Sequence, residues 1–270
     1  MKRMVCSLVM LLALPALVGA QSLKIEALRP QFQFGAGTNA AEPSTLTSAW
    51  FVTVAVPVLG NLNFVGQLPF AFGKLEGGSV PVTNETIGNP SVGLRFQHER
   101  LNIDVALRLP LAKPGFAGFV GSIADIDRQE AFIPNLVQLS GMIRTKVDVS
   151  KFNVQPYGGV SFNIRTSTEE NTFDVIREAY NKLRINDGEL HVLYGAEGWL
   201  ELQKLHVGAT FSGRGWVSSG GNFSESTIHQ IAFRAKLVFD KFVPGAMFRL
   251  PFDKSLLLDS VFGLNAEITF

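Results

Sequence analysis

The end of the chain alternates between apolar and other side chains, and its final residue is aromatic. One face would carry Phe262, Leu264, Ala266, Ile268 and Phe270, and the other would carry Gly263, Asn265, Glu267 and Thr269. A period of two is typical of a β-strand with two unlike faces. A terminal aromatic on such a strand is typical of bacterial outer-membrane β-barrels, so we expect Phe270 to be a signal for the barrel-assembly machinery. The alternative is the last strand of a soluble sandwich.

The same alternation recurs along the whole chain. It predicts about twelve strands, within a range of ten to fourteen, each near the ~10 residues that cross a bilayer when tilted. The predicted spans are 26–37, 46–58, 62–73, 90–97, 101–111, 136–147, 153–165, 189–202, 205–215, 229–239, 242–252 and 256–270.

The connections between these segments alternate in length. Gly60-Asn61, 98–100, 148–152, 203–204 and 240–241 are short, whereas 38–45, 74–89, 112–135, 166–188 and 216–228 are longer; the short connection 253–255 breaks the rule. Short periplasmic turns and long extracellular loops are typical of membrane barrels. The sequence therefore predicts an all-β fold, an antiparallel transmembrane β-barrel of about twelve strands.

The amino terminus reads as a secretory signal peptide over residues 1–20. Lys2 and Arg3 are followed by a mostly apolar stretch and by the small residues Gly19 and Ala20. The barrel would then occupy residues 21–270 and lie in the lipid of a bacterial outer membrane. The only cysteine is Cys6, so the mature chain offers no thiol chemistry.

Composition excludes several other classes of protein. Removing Lys2 and Arg3 from 24 basic residues leaves 22 against 23 acidic ones, which argues against a nucleic-acid partner. Hydrophobic residues make up 46% of the chain and Phe numbers 22, yet no later run reaches the ~18 apolar residues of a spanning helix. No spacing typical of a metal or cofactor site occurs, and we expect neither.

The polar face of the strands carries many ionisable residues. Charges at membrane depth are costly unless they face water or each other, so we expect these side chains to line the lumen. The candidates for a constriction are Arg95, Asp104, Arg108, Arg144, Arg165, Glu197, Arg214, Arg234, Arg249 and Asp259, and Arg29, Lys146, Lys236, Glu201 and Glu267 are assigned to the same inward rows.

Folding each hairpin about its turn predicts cross-strand neighbours. Arg95 would lie near Asp104, Arg249 opposite Asp259, and Glu201 beside His206. Such pairs either fill and stiffen a narrow barrel or form a constriction that selects solutes. Three arginines with fewer acidic partners, Arg108, Arg165 and Arg214, are candidates for a positive extracellular mouth that attracts anions. Trp50 and Trp216 are candidates for aromatic residues at the membrane boundary.

Two of the long loops differ from the others. Residues 112–135 are apolar for an exposed loop, so they should fold inward or over the mouth, either as an apolar gate or simply packed on their neighbours. Residues 169–184 are predicted to form a helix across the mouth. The gate candidates are Phe116, Phe119, Phe173 and Tyr180.

Two neighbouring strands carry a family resemblance. The run Gly88-Asn89-Pro90-Ser91-Val92-Gly93-Leu94-Arg95-Phe96, followed by Leu107-Arg108-Leu109-Pro110-Leu111, resembles strands of the meta-pathway phenol-degradation family. Members of that family are outer-membrane barrels similar in style to the long-chain fatty-acid transporters. The resemblance covers about 25 residues and implies passage of small, often hydrophobic or aromatic compounds.

The sequence thus favours an outer-membrane channel for small solutes, including hydrophobic or aromatic compounds. Solutes would diffuse through a polar lumen gated by extracellular loops. The first alternative is a closed barrel with a structural or adhesive role. The second is a hydrolase at the rim, which would need His191 close to a carboxylate; no enzymatic activity is expected, because the sequence itself fixes no such geometry.

Overall fold

Twelve antiparallel strands form a closed barrel. The computed structural model describes residues 21–32, 42–43, 47–76, 82–166, 188–217, 226–252 and 258–270. The wall strands are β1 (Ser22–Phe32), β2 (Ser48–Leu59), β3 (Leu62–Glu76), β4 (Ser91–His98), β5 (Leu101–Arg108), β6 (Leu136–Thr145), β7 (Phe152–Arg165), β8 (Glu189–Leu202), β9 (Leu205–Trp216), β10 (Thr227–Leu237), β11 (Phe242–Pro251) and β12 (Leu258–Thr269).

Each strand pairs with the next in sequence, and β12 pairs with β1 from Thr269↔Ser22 to Leu258↔Phe32, which closes the wall. Three short strands, Glu42–Pro43, Val82–Ile87 and Val147–Val149, extend β3 and β7 beyond the wall. The predicted fold class is confirmed, and the largest error is at β1, which begins four residues before the predicted 26–37.

The two ends of the barrel differ. One end, the short-turn end, carries the first described residue, Phe270 and the connections 60–61, 99–100, 146–151, 203–204 and 238–241; the opposite long-loop end carries the six other connections. Among the described residues, none of the helices is long and apolar enough to cross a membrane.

The outer face of the wall is apolar, as the alternation predicts. Side chains such as Phe64, Val105, Leu139, Val160, Phe233, Phe248, Phe262 and Leu264 point outward and are exposed. The residues next to them in sequence, such as Asn63, Asp104 and Ser161, point inward. This orientation suits a wall surrounded by lipid, because a soluble core would bury the apolar face instead.

Two residues assigned to the inward rows lie elsewhere. Inward residues of β1 include Glu26 and Leu28, so Arg29 points outward, opposite the exposed Phe262. In β12 the register shifts between the partners of Gln31 and Phe32, and this bulge leaves Asp259 exposed. A bulge adds one residue to a strand and so reverses the expected face.

The two predicted boundary tryptophans differ. Trp50 points outward, stacks on Phe70 at 5.7 Å between ring centroids and donates its indole N–H to Ser48, in agreement with a place at the membrane boundary. Trp216 is buried on the inward side, where its ring contacts that of His191 at 5.5 Å. Its assignment to the boundary was wrong.

Candidate functional site

The connection between β5 and β6 folds into the barrel at the long-loop end. This segment, residues 109–135, is called the plug below. It contains the helix α1 (Phe116–Ala124) and a 3-10 helix (Ile126–Phe132), and every residue of α1 is buried. The expectation that 112–135 folds inward is confirmed. The gate candidates Phe116 and Phe119 each lie 6.3 Å from the ring of Phe32, whereas Phe173 and Tyr180, with the helix predicted over 169–184, lie outside the described residues.

The wall presents an apolar patch to the plug. Leu28, Ala49 and Phe51 point inward and are fully buried, although the same rows carry Glu26 and Thr53 nearer the short-turn end. Phe51 contacts Phe132 of the plug edge to face at 5.7 Å. The burial of these apolar side chains stabilises the docked plug through the hydrophobic effect.

Asn89 fastens the plug to the wall by four hydrogen bonds. Its amide nitrogen donates to the carbonyl oxygens of Glu130 and Ile133 at 2.9 and 2.6 Å. Its amide oxygen accepts from the backbone N–H groups of Leu111 and Ala112, each at 2.7 Å. The side chain is wholly buried. The motif that carries the family resemblance therefore holds the two ends of the plug together.

Gly88 and Arg108, which lie beside Asn89, also help to hold the plug against the wall. A Cβ atom at Gly88 would overlap the carbonyl oxygen of Ala131 in the plug and approach Pro69, so only glycine lets the plug come this close. Arg108 is buried and donates to the carbonyl oxygen of Asn89 at 2.8 Å and to the side chains of Gln67 and Gln138.

Ion pairs join the plug to the wall on the other side of the lumen. Asp125 accepts from Arg249 of β11 at 3.0 Å and from Arg128 of the plug at 2.6 Å. Arg128 in turn contacts Glu26 of β1 at 2.8 Å, and its guanidinium lies 3.8 Å from the centroid of Phe51. These contacts form one chain from β1 through the plug to β11.

A second buried ion pair joins Glu130 to Arg214 of β9. Burial alone would raise the pKa of the Glu130 carboxyl, but the charge and hydrogen bond of Arg214 outweigh it and hold this pKa near 2. Asn163 donates to the same carboxylate at 3.4 Å. A buried carboxylate that stays ionised needs such partners, and removing one would leave an uncompensated charge.

The structure contradicts the predicted positive extracellular mouth formed by Arg108, Arg165 and Arg214. Arg214 is fully buried against Glu130, and Arg108 is buried beneath the plug. Arg165, at the last position of β7, is half-buried. The predicted pair of Arg249 and Asp259 is also wrong, since Arg249 lies opposite Val261 and its carboxylate partner is Asp125. The sequence offered no sign of these partners because they come from a connection distant along the chain.

Between the plug and the short-turn end the lumen is lined by charged and aromatic side chains. This region is called the vestibule, and its side chains are Thr53, Arg95, Asn102, Asp104, Arg144, Tyr157, Glu197, Trp199, Thr210, Arg234 and Lys236. Arg95 contacts Asp104 at 2.5 Å, as predicted, and Arg234 contacts Glu197 at 3.5 Å. Glu201 and His206 are cross-strand neighbours close to the turn, also as predicted.

Exposure differs sharply between the vestibule and the plug. The side chains of Arg95 and Arg234 point inward yet remain 36% and 26% exposed. At plug level the side chains of Arg214, Glu130 and Asp125 are 0%, 1% and 3% exposed. Solvent therefore has access to the lumen below the plug and is excluded beside it.

The vestibule also contains polar atoms that the protein itself does not satisfy. The side-chain oxygens of Asn102 and Thr210 and the Nε atoms of Arg144 and Arg234 are buried and accept or donate no hydrogen bond within the described part of the chain. Buried polar groups without protein partners are normally hydrated. A vestibule lined in this way is expected to hold water.

His191, the histidine of the rim-hydrolase alternative, lies inside the wall beside the plug. Its ring is fully buried, its Nδ1 is 3.1 Å from the amide of Asn163, and its Nε2 is 3.6 Å from a carboxylate oxygen of Glu189. The required carboxylate is thus present, but an outside substrate could not reach the ring. In the described ranges no three His, Cys, Asp or Glu side chains cluster as metal ligands.

No family model matches the sequence, and no curated protein matches it. Solved structures of similar shape exist. One is the outer membrane channel from Pseudomonas putida F1, with a TM-score of 0.57, 10% identity, and coverage of 93% of this chain and 96% of that chain. Another is the translocator domain of autotransporter NalP from Neisseria meningitidis, with a TM-score of 0.53, 12% identity, and coverage of 93% and 88%.

A third is the beta domain of the Bordetella autotransporter BrkA, with a TM-score of 0.51, 9% identity, and coverage of 93% of this chain and 100% of that chain. At such low identity these likenesses show the fold alone, a closed β-barrel of the outer-membrane kind. They do not confirm the family suggested by the Gly88-Asn89-Pro90 run.

Proposed function

We propose that this chain is a bacterial outer-membrane channel for small solutes whose resting form is closed by the plug. The short-turn end would face the periplasm and the long-loop end the outside. Residues 1–20 would direct export, and Phe270, at the end of β12, would be read by the barrel-assembly machinery. The apolar outer face of the wall supports contact with membrane lipid.

The contrast in exposure along the lumen carries the proposal. A barrel that served only as a structural wall would gain nothing from a hydrated vestibule lined by charges, because charges at membrane depth are costly. Among the residues that the structure describes, the closure is made by one connection, 109–135, rather than by the wall itself. Although the plug is held by apolar contacts, hydrogen bonds and ion pairs, it takes no part in the strand pairing of the wall, so it can leave and return without disrupting the barrel.

We further propose that the solutes of this channel include hydrophobic or aromatic compounds. The contact of Phe116 and Phe119 with Phe32 supports it, since apolar compounds would pass beside these rings when the plug moves. The alternative role, a closed structural or adhesive barrel, is favoured by one observation: the carboxylates of Asp125 and Glu130 are fully paired at plug level.

Planar-bilayer recording of the wild type, a plug-deletion variant and a matched control separates the two roles. In the test protein a short Gly-Ser linker replaces residues 114–132. We expect rare openings from the wild type and a steady conductance from the deletion variant. A matched control replaces residues of the turn 203–204, which leaves the lumen intact. Absence of conductance in the deletion variant, once circular dichroism shows it is folded, would contradict the channel and favour the structural barrel.

A further inference from the structure

Two cations of the vestibule have no carboxylate partner. The guanidinium of Arg144 lies 5.4 Å from the centroid of the Tyr157 ring, and the Nζ of Lys236 lies 4.5 Å from that of Trp199. Neither forms an ion pair within the described residues, whereas Arg95 and Arg234 both do. Their positive charge is therefore not neutralised by the wall.

The two aromatic rings are held flat against the wall by glycines. A Cβ atom at Gly195 would come within 2.5 Å of the Tyr157 ring, and one at Gly208 within 2.7 Å of the Trp199 ring. Each ring thus lies close to glycine backbone and has a cation over it. A cation over a ring face is attracted by the ring's quadrupole, so the rings position Arg144 and Lys236 instead of stacking on a solute.

These side chains occupy one side of the lumen, from β6 to β10. At vestibule level the charged wall residues of this side are Arg144, Arg234 and Lys236, together with Glu197, which is engaged by Arg234. Two further carboxylates of this side have partners of their own: Asp148 near the turn pairs with Lys146 at 3.1 Å, and Asp127 of the plug accepts from Gln230 at 3.0 Å. Glu201 lies nearer the turn and is exposed. Asn102 lies directly opposite Arg144 in the neighbouring strand. Within the described part of the chain, the side-chain oxygen of Asn102 and the Nε of Arg144 have no hydrogen-bond partner, whereas an Nη atom of Arg144 donates to the sulfur of Met142 at 3.2 Å.

We propose that Arg144 and Lys236 form an anion-binding belt that makes the vestibule select small organic anions, carboxylates above all. The inference rests on the proposed channel function and names its solute class. A carboxylate would accept hydrogen bonds from the guanidinium of Arg144 and be attracted by the ammonium of Lys236. The sequence led us to expect anion selectivity at the extracellular mouth, whereas this belt would select anions in the vestibule, towards the short-turn end.

Trp199 provides a reporter that does not depend on gating. The chain has three tryptophans, so Trp50→Phe with Trp216→Phe leaves Trp199 alone in the vestibule. Its fluorescence is quenched by iodide, caesium and neutral acrylamide in turn. We expect iodide to quench more strongly than caesium, and Lys236→Gln to lower the iodide quenching constant about threefold with little change for acrylamide. Arg144→Gln, whose side chain does not touch Trp199, should lower it in the same direction.

Lys204→Gln is the matched control, because Lys204 also lies over an aromatic ring, that of Phe239 at 5.9 Å, but in a turn outside the lumen. It should leave iodide quenching unchanged. Equal quenching by iodide and caesium, or no effect of Lys236→Gln and Arg144→Gln, would overturn the belt. A plug-deleted barrel that conducts without anion preference would overturn the belt and leave the channel standing. Charge-dependent quenching in a barrel that never conducts would support the belt and contradict the channel.

Discussion

Replacing Asn89 with alanine removes the side chain that fastens the plug. Four hydrogen bonds are lost, two to carbonyl oxygens and two from backbone N–H groups, at 2.6 to 2.9 Å. One hydrogen bond makes a net contribution of about 1 kcal/mol, so docking of the plug should become less favourable by about 4 kcal/mol. At about 1.4 kcal/mol per factor of ten, this corresponds to roughly a thousandfold increase in the undocked fraction.

Hydrogen exchange of the plug amides measures this quantity, because undocking exposes them while the wall stays folded. In Asn89→Ala the protection of residues 116–124 should fall roughly a thousandfold, and that of β7 and β8 should not change. Asn84→Ala is the graded comparison. Its side chain accepts a single bond from the N–H of Ala117 at 2.7 Å, so the loss should be about fivefold.

Unchanged protection of the plug in Asn89→Ala would refute the role of this side chain. An equal loss of plug protection in Asn84→Ala would contradict the assumption that each hydrogen bond contributes about 1 kcal/mol, because one bond would then matter as much as four. A loss that spread to all wall strands would mean that Asn89 supports the barrel rather than the plug.

Three other perturbations act on the same closure. Gly88→Ala should raise channel open probability in bilayer recordings, because its Cβ would overlap the carbonyl oxygen of Ala131. Glu130→Gln should weaken plug docking by about 3 kcal/mol, measured by hydrogen exchange, because Arg214 becomes a buried charge without a carboxylate; unchanged plug protection would contradict this. The lowered pKa of Glu130 contributes stability that is present above its ordinary value of about 4.5 and is lost as pH falls towards about 2. Conductance should therefore rise over this range, and a flat pH profile would contradict the assignment.

The wall could be predicted from the sequence because its signal is local. In strands such as β8 and β9 the period-two pattern and the short turn fix both the bounds and the cross-strand neighbours, and the pair of Arg95 and Asp104 followed from the same reasoning. One error in side-chain orientation came from an extra residue that enters the pattern of β12. The bulge near Asp259 reversed its face, and a register read from alternation alone does not detect it.

The plug could be predicted only in outline. Its apolar composition indicated that 112–135 is removed from water. Its partners, however, lie far away in sequence, since Glu130 and Arg214 are 84 positions apart and Glu26 and Arg128 are 102 positions apart. One usable signal was missed. Leu28 and Phe51 are apolar residues on the polar face of their strands, and an apolar patch inside a hydrated barrel requires a covering segment.

Accessibility of single cysteines at two heights of the lumen tests most directly whether the plug closes a hydrated vestibule. The predicted mature chain has no cysteine, so Thr53→Cys in the vestibule and Ser122→Cys in α1 are each the only thiol. In lipid vesicles, a small charged thiol reagent should label Thr53→Cys rapidly and Ser122→Cys very slowly. Adding Asn89→Ala should speed the labelling of Ser122→Cys alone. Rapid labelling at both heights in the otherwise native barrel would contradict closure by the plug, and slow labelling at both would contradict a hydrated vestibule.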